Sequence, residues 1–356
     1  MRAFLGTARR AALFDRTQLT VGLGLRLAPA LLLVLAAGLA LGEPQVAAVA
    51  AGGALIVGFG AFQQFTSSRA GPMLFAWLGT GLSTLIGTLA GGDGATMVLA
   101  AMIYAFWCGM LPAIGMGAFW IGQQCTIFLL IAGAYAGGIE QAFDRAALVM
   151  AGGLVQIACF TIILARERRA LPWRSLHRIL GDAATAFAGL RFHVRYNSPW
   201  IRFALHCALA LAAAVVVERV IALPNGYWVA MTTLLLLRPD FQDALARSLG
   251  RIGGTIAGAA LASLIAHVLA PGPAALATLV AAFAFLAYAT VRFNYGVFSL
   301  FVTGYVVFLL VLAGVAEAQV AASRIESTAM GGVIALVAQC DFFVRYRARR
   351  TRPQTP

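Results

Sequence analysis

Twelve apolar stretches separated by short polar turns leave this chain few ways to fold. Hydrophobic residues make up 61% of its 356 positions and charged residues only 11%, against roughly 25% charged in soluble domains. A helix needs about 20 largely apolar residues to cross a bilayer, and inside lipid its backbone polar groups must bond to one another. The stretches run over 27–41, 46–62, 73–90, 96–111, 117–136, 146–165, 203–217, 227–237, 252–269, 274–291, 297–315 and 328–343. The eighth, bounded by Pro224 and Pro239, is the weakest. An all-α polytopic membrane protein with about 12 transmembrane helices is expected.

The same landmarks occur in both halves. Gly117-Ala118-Phe119 opens a span carrying Gln124, Arg145 follows in a loop, and Gly152-Gly153 comes after it. Gly296-Val297-Phe298, Thr303, Arg324 and Gly331-Gly332 repeat them at a constant offset of 179 residues. Upstream, Leu78-Gly79-Thr80 matches Gly253-Gly254-Thr255 at an offset of 175. Six spans per half is an even number, so both halves enter the membrane in the same direction, as parallel repeats about an axis along the membrane normal. The division expected is a first repeat over 1–165, a cytoplasmic amphipathic linker over 166–202 and a second repeat over 203–356. Duplicated bundles of this kind point to a transporter with its pathway between them. Gly250, Gly254 and Gly258 stand four apart, as do Gly133 and Gly137, a spacing that lets helices approach closely.

Charge sets orientation. The net charge is +13, all 26 basic residues are Arg, and all but Arg145, Arg219 and Arg324 fall on one side of the twelve-span topology. The positive-inside rule then puts both termini in the cytoplasm and makes nucleic-acid binding an unnecessary explanation of the charge. Without Lys, a Walker A site and a Schiff-base cofactor are excluded, and no cofactor or metal is expected. Cys108, Cys125, Cys159, Cys207 and Cys340 lie scattered inside spans and read as small apolar residues. The basic start, with Arg2, Arg9, Arg10 and Arg16, leads into an uncleaved first helix rather than a removed signal. In the linker, Trp173, Leu176, Leu180, Ala183, Phe187 and Leu190 recur at helical spacing.

Polar residues inside spans are costly and face cavities or partner helices. Gln123, Gln124 and Thr126 in span five align with Thr303 and Tyr305 in span eleven, either as helix-bridging donors or as a pathway lining. Arg247 and Arg251 lie one turn apart at the start of span nine, where they serve as topological anchors or as a landing site for a carboxylate. Tyr227 and Trp228 read as an interfacial aromatic belt. Tyr104 and Trp107 either pack or stack on an aromatic substrate. His206 is the candidate proton-coupling residue, with His267 weaker, because Asp341 lies near a span end and within reach of Arg345.

Tyr227-Trp228-Val229-Ala230-Met231-Thr232-Thr233, Leu237-Arg238-Pro239-Asp240 and Ala246 through Thr255 together resemble the fusaric-acid-resistance family of inner-membrane proteins. That family includes bacterial aromatic acid exporters, and its membrane domain is similar to the plant malate-channel domain. The resemblance implies efflux of small organic anions, aromatic carboxylates among them, across a bacterial inner membrane. A passive anion channel and a non-transporting scaffold or subunit remain open beside it. The chain departs from the family in placing Pro72 and Ala76 where Arg247 and Arg251 would align in the first half, and in lacking a large domain between the halves. The partners expected are the organic anion, membrane lipid, and a second copy or an accessory envelope subunit. No HExxH, GxSxG or glycine-rich nucleotide signature suggests an enzyme.

Overall fold

The computed structural model describes residues 16–66, 68–168, 176–193 and 198–350. Arg2, Arg9 and Arg10 of the basic start and Trp173 of the linker lie outside the described residues. Thirteen helices and no strand are found among the described residues: α1 Val21–Ala40, α2 Pro44–Gly60, α3 Ala70–Ala90, α4 Gly94–Met110, α5 Met116–Ala134, α6 Ile139–Arg168, α7 Leu176–His193, α8 Pro199–Ile221, α9 Tyr227–Leu236, α10 Phe241–Leu269, α11 Pro273–Thr290, α12 Tyr295–Leu312 and α13 Glu317–Arg350. Ten segments are long and apolar enough to span a membrane, while α2 and α9 are shorter apolar helices. The chain is a multi-pass α-helical membrane protein.

Local chemistry starts and stops these helices. Asp93 caps α4 by accepting from the Thr96 N–H at 2.8 Å, and Asn294 caps α12 by accepting from Gly296 and Val297. Pro44, Pro199 and Pro273 occupy first-turn positions, where a missing N–H costs nothing. Two landmarks expected in loops lie inside helices instead: Arg145 belongs to α6 and Arg324 to α13. Each of these helices begins ahead of its apolar stretch, with an acid in the first turn, Glu140 or Glu317. Acids suit a helix N-terminus, so helix formation precedes the hydrophobic signal.

Helix contacts follow a paired scheme. α3 packs on α5 and on α6, as α10 packs on α12 and on α13. α2 packs on α6 as α9 does on α13, and α4 on α5 as α11 does on α12. Across the halves, α4 meets α8 while α11 meets α1, and α5 meets α9 while α12 meets α2. A single apolar core runs through both halves, including Leu27, Leu31, Phe59, Phe119, Trp228, Val280 and Phe308. The linker helix α7 lies against one end of the bundle. Its inward positions are Ile179, Ala183 and Leu190, with Leu190 joining Met110 and Ala204 in a small second core. Leu180, expected on the apolar face, is exposed, because the buried stripe starts one residue earlier.

Glycine sets the spacing where helices touch most closely. A Cβ at Gly152 on α6 would collide with the Ala50 carbonyl of α2, and one at Gly331 on α13 would collide with the Val229 carbonyl of α9. Both pairs are related by the 179-residue offset. Gly253, by contrast, faces open space. Gly152→Leu and Gly331→Leu are therefore expected to lower the melting temperature of the detergent-purified protein by several degrees, by about 1–3 kcal/mol of overpacking each. Gly253→Leu leaves it within a degree or two, and equal melting of all three variants would contradict the close-approach geometry.

Candidate functional site

α9 has ten residues, so at 1.5 Å per residue it reaches about 15 Å, half the thickness of a hydrocarbon core. Nine of the ten are buried, which makes it a short helix enclosed by others rather than a complete span. It stops where Leu237 turns extended, and Pro239 prevents the helix from resuming in register. The break strands backbone carbonyls in an apolar interior. Two glutamines from neighbouring helices serve them: Gln123 Nε2 on α5 donates to the Leu234 carbonyl at 3.0 Å, and Gln339 Nε2 on α13 donates to the Arg238 carbonyl.

Three arginines are buried in the second half, Arg238 at the break and Arg324 beside the start of α9: Arg238 is 9% exposed, Arg251 2% and Arg324 0%. Among the described residues none of them pairs with a carboxylate, and Nε of all three, with Nη1 of Arg324, has no hydrogen-bond partner. Aromatic faces hold two of them instead. The Arg324 guanidinium lies 4.6 Å from the Trp228 ring centre, and that of Arg238 lies 5.1 Å from Phe119. Arg247, half-buried, covers Tyr295 at 4.8 Å. A ring attracts a cation but takes up only its face, so the edge N–H groups stay available. Arg324 Nη2 makes one long contact, 3.5 Å, to Thr303 Oγ1.

Hydroxyls line the same seam. Arg324, Ser327 and Thr328 share a face of α13, Arg251 and Thr255 share a face of α10, and Thr232 comes from α9. The hydroxyl oxygens of Thr232, Thr255, Ser327 and Thr328 are buried without a partner, as is that of Tyr305. A cavity of about 30 Å³, lined by Ile252, Thr255, Ile256, Ile325, Thr328 and Ala329, separates α10 from α13. That volume holds a water molecule. The first half is different at corresponding places. Thr80, Ser83, Thr84 and Thr88 on α3 each bond back to a carbonyl of their own helix. Arg145, the counterpart of Arg324, donates to the Tyr135 carbonyl. Phe59, the counterpart of Arg238, meets Phe298 edge-on with centroids 5.5 Å apart, where Arg238 meets Phe119.

The expected residues divide between this seam and other roles. Arg251 and Thr303 belong to it, and Tyr305 is buried on the neighbouring α12. Arg247 lies at its edge on Tyr295. Gln123 holds the end of α9 and spends its donor there. Gln124 is buried and makes no hydrogen bond to Thr303, and Thr126 bonds its own helix at Gly122. His206 is half-buried on α8, outside the three seam helices, and His267 is exposed near the end of α10. Tyr104 accepts from Ser83 at 3.4 Å, whereas Trp107 is 54% exposed on the outside of the bundle and cannot stack on an internal ligand. Tyr227 and Trp228 are buried at 6% and 2% exposure. They do not form an interfacial belt, because Trp228 is occupied by Arg324. The side chains of Asp341 and Arg345 lie outside the described residues. Sequence reasoning passed over Arg238 and Arg324 as a topological charge and a loop residue. The signal was present in the spacing of Arg324, Ser327 and Thr328, which puts three polar groups on one face of a buried helix.

Residues 211–338 match the model of the family described as fusaric acid resistance protein-like, in agreement with the motif from Tyr227 onward. The match covers α9 to α12 and the parts of α8 and α13 that flank the seam. An uncharacterized protein of Synechocystis sp. is 31% identical over 149 residues, which are 42% of this chain and 19% of that protein. An uncharacterized protein of Neisseria gonorrhoeae is 27% identical over 158 residues, 44% of this chain and 38% of that protein. The matched region thus spans well under half the length of these relatives. No solved structure matches the chain.

A buried cation without a counter-ion costs stability, and replacing one by an apolar side chain of similar size is neutral or stabilising, by up to about 4 kcal/mol. Arg324→Met is therefore expected to keep or raise the melting temperature in detergent. Trp228→Ala removes both the cation's ring and a buried indole, and lowers stability by about 3–5 kcal/mol. A large loss in Arg324→Met would show that Arg324 has a structural counter-ion after all.

Proposed function

We propose that this chain, a fusaric acid resistance protein-like membrane protein, exports small organic anions across a bacterial inner membrane, with aromatic carboxylates as the substrate class. The observation that carries this reading is the fully buried Arg324, held by the face of Trp228, with its Nε and Nη1 donors unused and no carboxylate paired with it. A carboxylate accepts hydrogen bonds from a guanidinium edge and cancels its charge, so the site is completed by an organic anion. Arg251, one turn beyond Arg247 on α10, places a second cation next to the same seam, and the strongest like charge acting on Arg324 is that of Arg251. Hydroxyls of Thr232, Thr255, Ser327 and Thr328 offer further bonds to oxygen atoms of a substrate.

The route proposed runs through the second half, between α9, α10 and α13, and not along an axis between two equal bundles. The paired contact scheme supports two parallel six-helix repeats over 1–165 and 203–356, joined by the linker 166–202. In that arrangement both termini face the cytoplasm, and the first repeat buttresses the second. Its equivalent positions hold self-satisfied threonines and a phenylalanine, which offer an anion nothing. Outward movement of a monoanion, driven by an inside-negative potential, releases about 2.3 kcal/mol per 100 mV. Export needs no nucleotide on these energetics.

Flux of labelled benzoate into and out of proteoliposomes, with electrical recording alongside, tests this reading. Arg251→Gln and Arg324→Gln are expected to raise half-saturation at least about ten-fold, since one charge-assisted hydrogen bond contributes about 1.5–3 kcal/mol and each 1.4 kcal/mol is a factor of ten. Arg247→Gln has a smaller effect, and abundance and topology stay normal in all three. Saturable flux with small currents identifies a carrier and large unitary currents a channel. No flux from the native protein, or unchanged half-saturation with Arg251 and Arg324 both neutralised, overturns the anion route.

A further inference from the structure

Glu218 is an acid at the far end of the seam that anion binding leaves without a part. It lies in the last turn of α8, and its Cβ is 3.4 Å from the position a Cβ on Gly226 would take, so it rests against the residue that precedes α9. Its Oε2 is buried and has no hydrogen-bond partner. α9 begins with no side-chain cap; its Trp228 and Val229 N–H groups donate to the Asn225 and Gly226 carbonyls of the preceding turn, and the positive end of its dipole lies near this carboxylate. The Ala230 N–H, in the first turn of α9, acts on the Glu218 carboxylate. The turn between the two helices holds Ala222 and Asn225 in the left-handed region, with φ of 53° and 55°, a conformation non-glycine residues adopt at a cost.

Charged and titratable neighbours come from every side. Arg219 follows on α8 and donates to the Gly91 carbonyl at 3.1 Å. Tyr227 comes from α9, with Tyr135 behind it at 6.3 Å between ring centres. Asp93 caps α4 and has its carboxylate engaged by Thr96. Arg324 approaches from α13 on the far side of Trp228. Of these, only Arg219 adds a charge that reaches Glu218. An ionised Glu218 is thus the acid that serves the uncapped start of the helix carrying Trp228.

We propose that Glu218 is a proton-binding site that controls release of the anion on the outer side of the membrane. Ionised, it holds the first turn of α9 and keeps Trp228 under Arg324. On taking a proton from the outer compartment it loses its charge and with it the attraction to the positive end of α9, and α9 is free to shift Trp228 away from Arg324. The proposal rests on the reading of the seam as an anion route, and one of its two tests is independent of transport.

The first test titrates the purified protein and follows the emission of Trp228, taken as the difference between the native chain and Trp228→Phe. A single pH-dependent transition is expected. It is absent in Glu218→Gln and retained, displaced, in Glu218→Asp. No transition, or the same transition in Glu218→Gln, overturns the proton site. The second test measures benzoate flux in proteoliposomes at zero potential. Acidifying the outer side is expected to speed native export about ten-fold and to leave Glu218→Gln unchanged. Native flux indifferent to outer pH overturns the coupling while leaving anion export standing. If benzoate does not move at all, the anion route fails and the fluorescence titration still decides the proton site.

Discussion

The early end of α9 is the constraint around which the second half is arranged. In lipid a broken helix is tolerable only where other groups satisfy the freed backbone. Gln123 from the first half and Gln339 from the last helix do so at Leu234 and Arg238. At the break Arg238 rests on Phe119, while Arg324 of α13 lies beside the start of α9 on Trp228. The ten-residue helix is thus a structural weak point flanked by unpartnered polar groups of α10 and α13.

Cation–π contacts explain how the arginines are kept inside without being neutralised. A carboxylate partner would satisfy a guanidinium and also remove its capacity to bind an anion. A ring face contributes about 2 kcal/mol when desolvated and leaves the edge donors bare. Arg324 on Trp228, Arg238 on Phe119 and Arg247 on Tyr295 all follow this scheme. The cost of three poorly paired cations is met by the tight core around them, which includes Phe203, Leu234 and Phe308.

The two halves share helix contacts and differ in chemistry. Counterpart positions keep the same helix contacts and the same glycine crossings, Gly152 of α6 against α2 and Gly331 of α13 against α9. Chemistry diverges between them. Phe59 stands where the second half has Arg238, and α3 threonines bond their own backbone where Thr255 on α10 has no partner. Close-packed crossings fix backbone geometry and tolerate no side chain, so they are shared. Side chains facing the seam are free to differ, and the seam holds unpartnered polar groups where the matching threonines of the first half bond their own helix.

Most of the helical architecture was legible in the amino-acid order, because the apolar stretches and the length needed to cross a bilayer leave little choice of structure. The weakness of the stretch between Pro224 and Pro239 was legible too, since proline limits a helix at either end. Residue charge was readable only as topology. Arg324 looks like a loop residue because the apolar stretch after it begins at Thr328, whereas α13 already starts at Glu317, and only packing against α9 and α12 puts its guanidinium on Trp228 and beside Thr303. Gln123 and Gln124 are adjacent and alike in sequence. The tertiary structure alone decides that Gln123 serves a broken helix while Gln124 does not, because an intramembrane glutamine takes its role from whichever carbonyl the neighbouring helix leaves unpaired.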